Sequence, residues 1–148
     1  RIPAPIRTQI SIAELFTDLK KLFPEEEFQF EGPSPELKLN VDRTQIEQIL
    51  INLLKNAREA CSRKSDKKIQ VKARKLSAGN TTLTISDNGE GILPDVLDKI
   101  FVPFFTTKTS GSGIGLSLCK QIMTLHEGSI NVKSEVGKGS SFILTFPK

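Results

Sequence analysis

An amphipathic segment, residues 42–60, constrains the fold more than any other part of the chain. Its apolar side chains recur at intervals of three and four residues, which is the spacing of one helix face. They are Ile46, Ile49, Leu50, Leu53, Leu54 and Ala57. Asp42, with Gln45 three residues later, is a favourable N-cap for this helix. A helix of this kind must bury its apolar face, so the chain needs a second layer to cover it.

Short segments of alternating apolar and polar residues supply that layer, because this alternation is typical of half-buried strands. They lie at residues 28–30, 37–41, 69–73, 83–85, 130–132 and 142–146, the last two joined by a turn at 135–139. Further helices are predicted at residues 10–23, at 94–100 and from about 113 to 126, with a long loop at 101–112. Hairpins of strands with helices between them predict an α+β, two-layer sandwich, with helices on one face of a largely antiparallel sheet.

The bulk properties fit one globular domain. The chain has 148 residues, 37% of them hydrophobic, and no apolar run of the roughly 18 residues that a membrane helix needs. It begins without a Met or a signal peptide, so we expect residues 1–148 to be a single domain cut from a longer protein, and whether that parent has a membrane anchor is left open. Cys61 and Cys119 lie in apolar helical patterns and are predicted to be buried, reduced thiols, which fits a cytoplasmic setting.

The charge pattern argues against a nucleic-acid partner. The net charge is +4, and part of it lies at residues 63–68, which we interpret as a solvated loop. A nucleic-acid surface usually interleaves aromatic residues with its cations, and this chain has no Trp or Tyr. A mildly basic balance suits an anionic ligand such as a triphosphate. His126, near a predicted helix end where the dipole favours positive charge, is given a structural role.

Two asparagines mark a candidate cation site. Asn52 and Asn56 lie four residues apart, so both point to one edge of the apolar stripe of the 42–60 helix. An amide oxygen is a hard, neutral ligand that suits Mg²⁺, which retains waters and binds phosphates. The alternative is that both amides only solvate the helix edge.

A carboxylate at a predicted strand end marks a candidate base-reading position. Asp87 shares the period of Leu83 and Ile85, so it is expected to point inward with them. A buried carboxylate needs hydrogen-bond donors, which an adenine amine or the following turn amides would supply. Gly89 and Gly91 let the backbone approach a flat ring closely or turn sharply.

A small, hydroxylated, glycine-rich segment at residues 106–116 leads into the last predicted helix. Free amides at a helix N-terminus bind phosphate, Lys108 would reach a terminal phosphate, and the segment could close as a lid. A disordered surface loop is the alternative. Phe101, Phe104 and Phe105 favour the lid, since they are expected to pin its base to the core.

Together these segments resemble the catalytic and ATP-binding domain of bacterial sensor histidine kinases, within the superfamily that includes DNA gyrase, heat-shock chaperone and mismatch-repair ATPases. The likeness extends from about residue 10 to 147. Its motifs are an asparagine box at 52–57, a first glycine box at 87–92, a phenylalanine box at 101–105 and a second glycine box at 111–116. The tail at 125–142 also follows the family.

This resemblance implies a Bergerat-type ATP-binding fold and an ATP-dependent protein histidine kinase that uses Mg²⁺. It implies that Asp87 reads adenine, that Asn56 holds Mg²⁺ with help from Asn52, and that residues 106–116 cover the phosphates. Asn52 and Lys108 are the predicted catalytic residues. The predicted nucleotide contacts are Asn52, Asn56, Asp87, Gly89, Gly91, Ile92, Phe104, Thr106, Thr107, Lys108, Ser112, Gly113, Ile114, Gly115 and Leu116.

The implied partners are a dimerisation domain that carries the phosphoacceptor histidine and, through it, a response regulator. No such histidine lies in this chain, so the fragment is expected to be a monomer and its parent a homodimer. Many family members carry a basic residue and then an aromatic where this chain has Glu59 and Ala60. Arg58 or Lys55 is the candidate to replace the missing charge.

Transfer to histidine is favoured over hydrolysis. The gyrase-like relatives place a general-base Glu where this chain has Asn52, and an amide cannot take a proton from water. A stand-alone ATPase and a nucleotide-gated interaction module without useful catalysis are the alternatives.

Overall fold

The computed structural model describes residues 2–31, 34–103 and 115–148. Four helices are present in this part of the chain: α1 (Ile12–Leu22), α2 (Arg43–Ala60), α3 (Pro94–Leu97) and α4 (Gly115–Leu125). The strands are β1 (Thr8–Ser11), β2 (Phe28–Phe30), β3 (Lys38–Val41), β4 (Ile69–Lys75), β5 (Thr81–Asp87), β6 (Ser129–Glu135) and β7 (Gly139–Phe146).

The main sheet has five strands in the order β2-β4-β5-β7-β6. β2 is parallel to β4 and the other neighbours are antiparallel, so the predicted largely antiparallel sheet is confirmed. The predicted pairing of the last two strands is also correct, with Ile130 opposite Leu144 and Val132 opposite Phe142.

One face of this sheet is apolar and the other is polar, as the alternation predicts. The inward side chains join those of α1, α2 and α4 in a single core. Outward residues such as Lys72 and Arg74 on β4 and Lys133 on β6 are exposed. The two-layer α+β architecture is therefore confirmed, and both cysteines are free and buried as expected. No helix in the described ranges is long and apolar enough to cross a membrane.

The helix predicted to begin at Ile10 is wrong at its start. Ile10 lies in β1, which pairs antiparallel with β3 in a separate two-stranded sheet, and α1 begins at Ile12. Ser11 caps α1 by accepting a hydrogen bond from the Glu14 amide. Ile10 is buried in the strand, and an apolar residue on the inner face of a helix is buried too, so its hydrophobicity alone does not distinguish strand from helix. The third helix is also shorter than predicted and ends at Leu97.

α2 has the predicted cap and is tied at this end to α4. The Asp42 side chain accepts from the Gln45 amide at 3.1 Å, while the Asp42 amide donates to Nε2 of His126 at 3.1 Å. Nε2 is therefore unprotonated, and Nδ1–H donates to the Ile122 carbonyl at 2.9 Å. His126 is buried and structural, but it is neutral here and not the cation that the helix dipole suggested.

Candidate functional site

Asn52 and Asn56 lie on the edge of α2, where both side chains are half-buried. Their neighbours Leu53, Leu54 and Ala57 are buried against the sheet. The two amides are one turn apart, so they share the border between core and solvent. This is the position that a ligand lying along the helix would contact.

The start of α4 lies beside Asn52. Nδ2 of Asn52 is 3.9 Å from Sγ of Cys119, and a Cβ built on Gly115 would be 3.8 Å from the same nitrogen. This contact turns the amide nitrogen of Asn52 towards α4. Burial raises the pKa of the Cys119 thiol to about 11, so the sulfur stays a neutral, weak acceptor.

Asp87 is the last residue of β5 and lies in the middle of the sheet, opposite Ile69 on one side and Ser140 on the other. It is half-buried, and its Oδ1 accepts from the Gly89 amide at 2.8 Å. Burial raises the pKa of this carboxyl above its usual value, and the amides of Gly89 and Ser140 oppose that rise. An additional N–H donor from a ligand would therefore stabilise the ionised carboxylate.

The end of α2 brings the asparagines and Asp87 to the same region. The Ala60 carbonyl accepts from the Glu90 amide at 3.2 Å, in the loop that follows Asp87. Asn56 lies one turn before Ala60, which is about 6 Å along the helix axis. The two amides on α2 and the carboxylate at the end of β5 thus lie on elements that contact each other.

The glycines after Asp87 serve the protein backbone. A Cβ on Gly89 would lie 2.5 Å from the Ala60 carbonyl oxygen, and one on Gly91 (φ +78°) would lie 2.3 Å from that of Glu135. A side chain is thus excluded at both positions by neighbouring backbone. The positive φ of Gly91 fits the sharp turn, and Gly89 is required by its close approach to the backbone at the end of α2.

Ile92 closes this loop, and its amide donates to Oγ of Ser134 at 2.8 Å. The same hydroxyl is 2.8 Å from Oγ of Ser140, the residue opposite Asp87. Ser134 and Ser140 were missed in the sequence, although their opposed places on β6 and β7 are readable once the hairpin register is known.

Arg58 does not replace the missing basic residue. Its guanidinium lies 4.9 Å from the ring centre of Phe23 and 5.3 Å from that of Phe28, and it pairs with Glu25 at 2.9 Å. These partners belong to the α1–β2 region. Of the two candidates for the missing charge, Arg58 is engaged with the α1–β2 region, and the exposed Lys55 is the other.

Several predicted contacts lie outside the described residues: Phe104, Thr106, Thr107, Lys108, Ser112, Gly113 and Ile114. At the edges of this gap, Gly115 and Leu116 form the first turn of α4 and Leu116 packs against the core. Phe101 also packs against the core, and Nζ of Lys120 lies 5.6 Å from the centre of its ring. The phenylalanine box is thus anchored at its first residue.

The donor set suits a magnesium nucleotide. Among the described residues no group of three His, Cys, Asp or Glu side chains is placed to hold a metal ion. A cation at α2 would therefore take amide oxygens from Asn52 or Asn56 and its other ligands from phosphates and water, which is the usual chemistry of Mg²⁺. The half-buried Asp87 suits the amine of a base.

Comparison with known proteins agrees with this geometry. Residues 41–148 match the family of histidine kinase-, DNA gyrase B- and HSP90-like ATPases. The chain belongs to this family. It is 39% identical over 110 residues to the sensor histidine kinase ZraS of Salmonella typhimurium, a match covering 74% of this chain and 23% of ZraS. The chain thus spans about a quarter of the length of that relative.

Solved structures extend the likeness of this ATPase-family chain to nearly its whole length. The nucleotide-free catalytic domain of histidine kinase ThkA is 34% identical, with a TM-score of 0.82, and the match covers 96% of this chain and 95% of that one. ThkA has also been solved in complex with the response regulator TrrA. There the identity is 31% and the TM-score 0.77, over 96% of this chain and 42% of that chain.

Proposed function

We propose that this domain binds Mg-ATP and donates the γ-phosphoryl group to a histidine on a separate dimerisation domain of its parent protein. The observation that carries the proposal is the placement of Asn52 and Asn56, half-buried on the edge of α2, beside the strand that ends in the half-buried Asp87. The asparagines offer amide oxygens for a cation, and burial raises the pKa of the Asp87 carboxyl, so a further N–H donor from a base would stabilise its ionised form. Membership of an ATPase family whose curated relatives are named sensor histidine kinases supports it.

The roles follow from the chemistry of each group. Asp87 accepts from the exocyclic amine of adenine, a contact that guanine cannot make because it carries a carbonyl there. Asn56, assisted by Asn52, contributes amide oxygens to Mg²⁺, and the bound cation neutralises charge on the phosphates. Lys108 and the amides of residues 106–116 are assigned to the phosphates from the sequence motif alone.

The residue at position 52 favours transfer over hydrolysis. A carboxylate there would act as general base on an attacking water, whereas an amide does not accept that proton. A neutral imidazole attacks with its own lone pair, forming an N–P bond as the bond to the ADP leaving group breaks. The domain therefore needs to supply positioning and charge neutralisation more than proton transfer.

We further assign residues 1–148 to one domain of a longer homodimeric parent, whose phosphoacceptor domain passes the phosphoryl group to a response regulator. The ThkA complex with TrrA supports this order of partners by similarity. The domain itself is proposed to be a monomer and to act on the cytoplasmic side.

Incubating the domain with the dimerisation domain of its parent and radiolabelled ATP tests the proposal. We expect an acid-labile phosphohistidine that depends on Mg²⁺ and disappears with Asn56→Ala. Gln48→Ala, an exposed change on the same helix, is the matched control and should leave labelling unchanged. Absence of label with both domains folded and mixed would contradict transfer to histidine.

A second candidate is a nucleotide-gated interaction module without useful catalysis. It is favoured by Glu59 and Ala60 at the positions where many family members have a basic residue and an aromatic, and by the engagement of Arg58 with Phe23 and Phe28. This alternative predicts nucleotide-dependent partner affinity in the full-length parent, with no phosphohistidine at any nucleotide concentration.

A further inference from the structure

The end of β5 is held by Asn88, a residue outside the predicted set of contacts. Its backbone amide donates to the Lys68 carbonyl at 3.2 Å, which extends the β4–β5 ladder one residue past the Ile69–Asp87 pair. Its side chain then folds back to the same stretch. Oδ1 accepts from the Lys68 amide at 2.9 Å, and Nδ2 donates to the Asp66 carbonyl at 2.8 Å.

These contacts fix the orientation of the Asn88 amide. Lys68 offers an N–H, which only Oδ1 can accept, and Asp66 offers a carbonyl, to which only Nδ2 can donate. The Cys61 thiol, at the end of α2, is a third partner at 3.5 Å from Oδ1. A donor and an acceptor on separate atoms of one short side chain meet the two partners; Ala has neither group, an ionised Asp has no donor, and Ser has both functions on a single oxygen.

The hydrogen bonds of the Asn88 side chain lie next to the backbone amide that holds the Asp87 carboxylate. Gly89 follows Asn88 directly, and its amide donates to Oδ1 of Asp87. Gly89 is buried, and the next amide, that of Glu90, donates to the Ala60 carbonyl at 3.2 Å, which joins this stretch to α2. The Asn88 side chain thus anchors the residue between the two peptide units that link the carboxylate to its amide donor.

We propose that Asn88 is a positioning residue for adenine recognition: its side-chain amide locks the end of β5 to the 66–68 turn and thereby holds Asp87 and the Gly89 amide in the geometry that accepts the base. This inference rests on the nucleotide-binding function proposed above. It assigns to Asn88 selectivity for adenine and no direct contact with the nucleotide.

The test compares ATP and GTP binding, by calorimetry with Mg²⁺, for wild type, Asn88→Ala and Asn88→Ser. Circular dichroism sets a temperature at which each variant is folded. Loss of the Asn88 side-chain hydrogen bonds is expected to weaken ATP binding about tenfold while GTP binding changes little. The preference for ATP over GTP therefore falls. In the absence of nucleotide, the Gly89 and Lys68 amides should exchange faster with solvent in both variants.

Two controls separate positioning from general damage. Asp66→Ala keeps the backbone carbonyl that Asn88 uses, and Asn131→Ala alters an exposed asparagine on the open face of the sheet. Both should bind as wild type. Unchanged selectivity in folded Asn88 variants, or equal losses for ATP and GTP, would overturn the inference alone. Failure of wild type to bind ATP would overturn the proposed function as well.

Discussion

The two ends of the candidate site differ in how firmly the protein itself holds them. At the Asp87 end, residues 88–92 are bonded to the turn before β4, to the end of α2 and to β6. At the α2–α4 end, the hydrogen bond that positions Asn52 runs to a thiol 3.9 Å away, and sulfur is a weak acceptor.

This difference suggests that one end of the site selects the base and the other binds the cation. The Asp87 end is built before any ligand arrives, and a rigid carboxylate suits selection of one base over another. The described contact of the Asn52 amide is the weaker one, which suits a cation that brings its own phosphate and water ligands. We expect substitutions to affect base selectivity at one end and metal dependence at the other.

The largest effect is expected from Asn56→Ala. Removing an amide oxygen from the proposed cation site should lower phosphotransfer about 100-fold or more and make nucleotide affinity nearly insensitive to Mg²⁺. Binding of ATP in EDTA should change much less, because the Asp87 end is intact. ATP titrations with and without Mg²⁺ measure both affinities. An equal loss of affinity in the two conditions would contradict the separate roles proposed for the two ends of the site.

Gly139→Ala should disrupt the Asp87 end through the backbone. The position has φ +125°, and a Cβ there would lie 2.0 Å from the Asp87 carbonyl oxygen. We expect the free energy of unfolding to fall by about 2 kcal/mol or more, measured by urea titration.

Gly137→Ala is the control for that experiment. Its φ is +83°, but a Cβ would meet no atom within 4 Å, so only the backbone strain remains. The expected loss is about 1 kcal/mol. Equal losses for both variants would show that the contact with Asp87 does not matter.

The third prediction concerns pH. Because burial raises the pKa of Asp87, the folded protein favours the protonated carboxyl, and stability from this group is present at low pH and lost as pH rises through the raised pKa. Asp87→Asn should therefore stabilise the nucleotide-free protein near pH 7, and the gain should shrink as pH falls towards 4. Melting curves of both proteins across this pH range measure the stability difference. A stability gain that grows at low pH would contradict the prediction.

The smallest signal is expected from maleimide labelling of the Cys119 thiol in the native protein. With a pKa of about 11 and a buried sulfur, its thiol should react with maleimide at pH 8 only when the protein opens. Reaction in denaturant gives the reference rate. Rapid labelling of the native protein would mean that the α2–α4 contact is looser than the structure indicates.

Much of the fold could be predicted from local patterns. The 42–60 helix and the hairpin of β6 and β7 have strong periodicity and clear turn residues, and both were predicted with nearly correct bounds. The parallel pairing of β2 with β4 and the small β1–β3 sheet depend on contacts between distant residues. Nothing in the local sequence specifies such pairings.

The sequence suggests the chemistry of the candidate site but not the contacts that support it. Asn52, Asn56 and Asp87 are predicted because each residue type has a known chemistry at its spacing. Asn88 and Ser134 bond to residues that are distant in the sequence, and only the folded strand register shows those partners. In the same way, the sequence does not reveal that the Arg58 guanidinium lies over Phe23 and Phe28.

The central claim is tested most directly by calorimetric titration of ATP and GTP, with and without Mg²⁺, into wild type, Asp87→Asn and the exposed control Asp95→Asn. We predict that wild type and Asp95→Asn prefer ATP and respond to Mg²⁺, while Asp87→Asn loses ATP affinity by about 10- to 100-fold. Equal binding of ATP and GTP by wild type, or unchanged ATP binding by folded Asp87→Asn, would contradict the account.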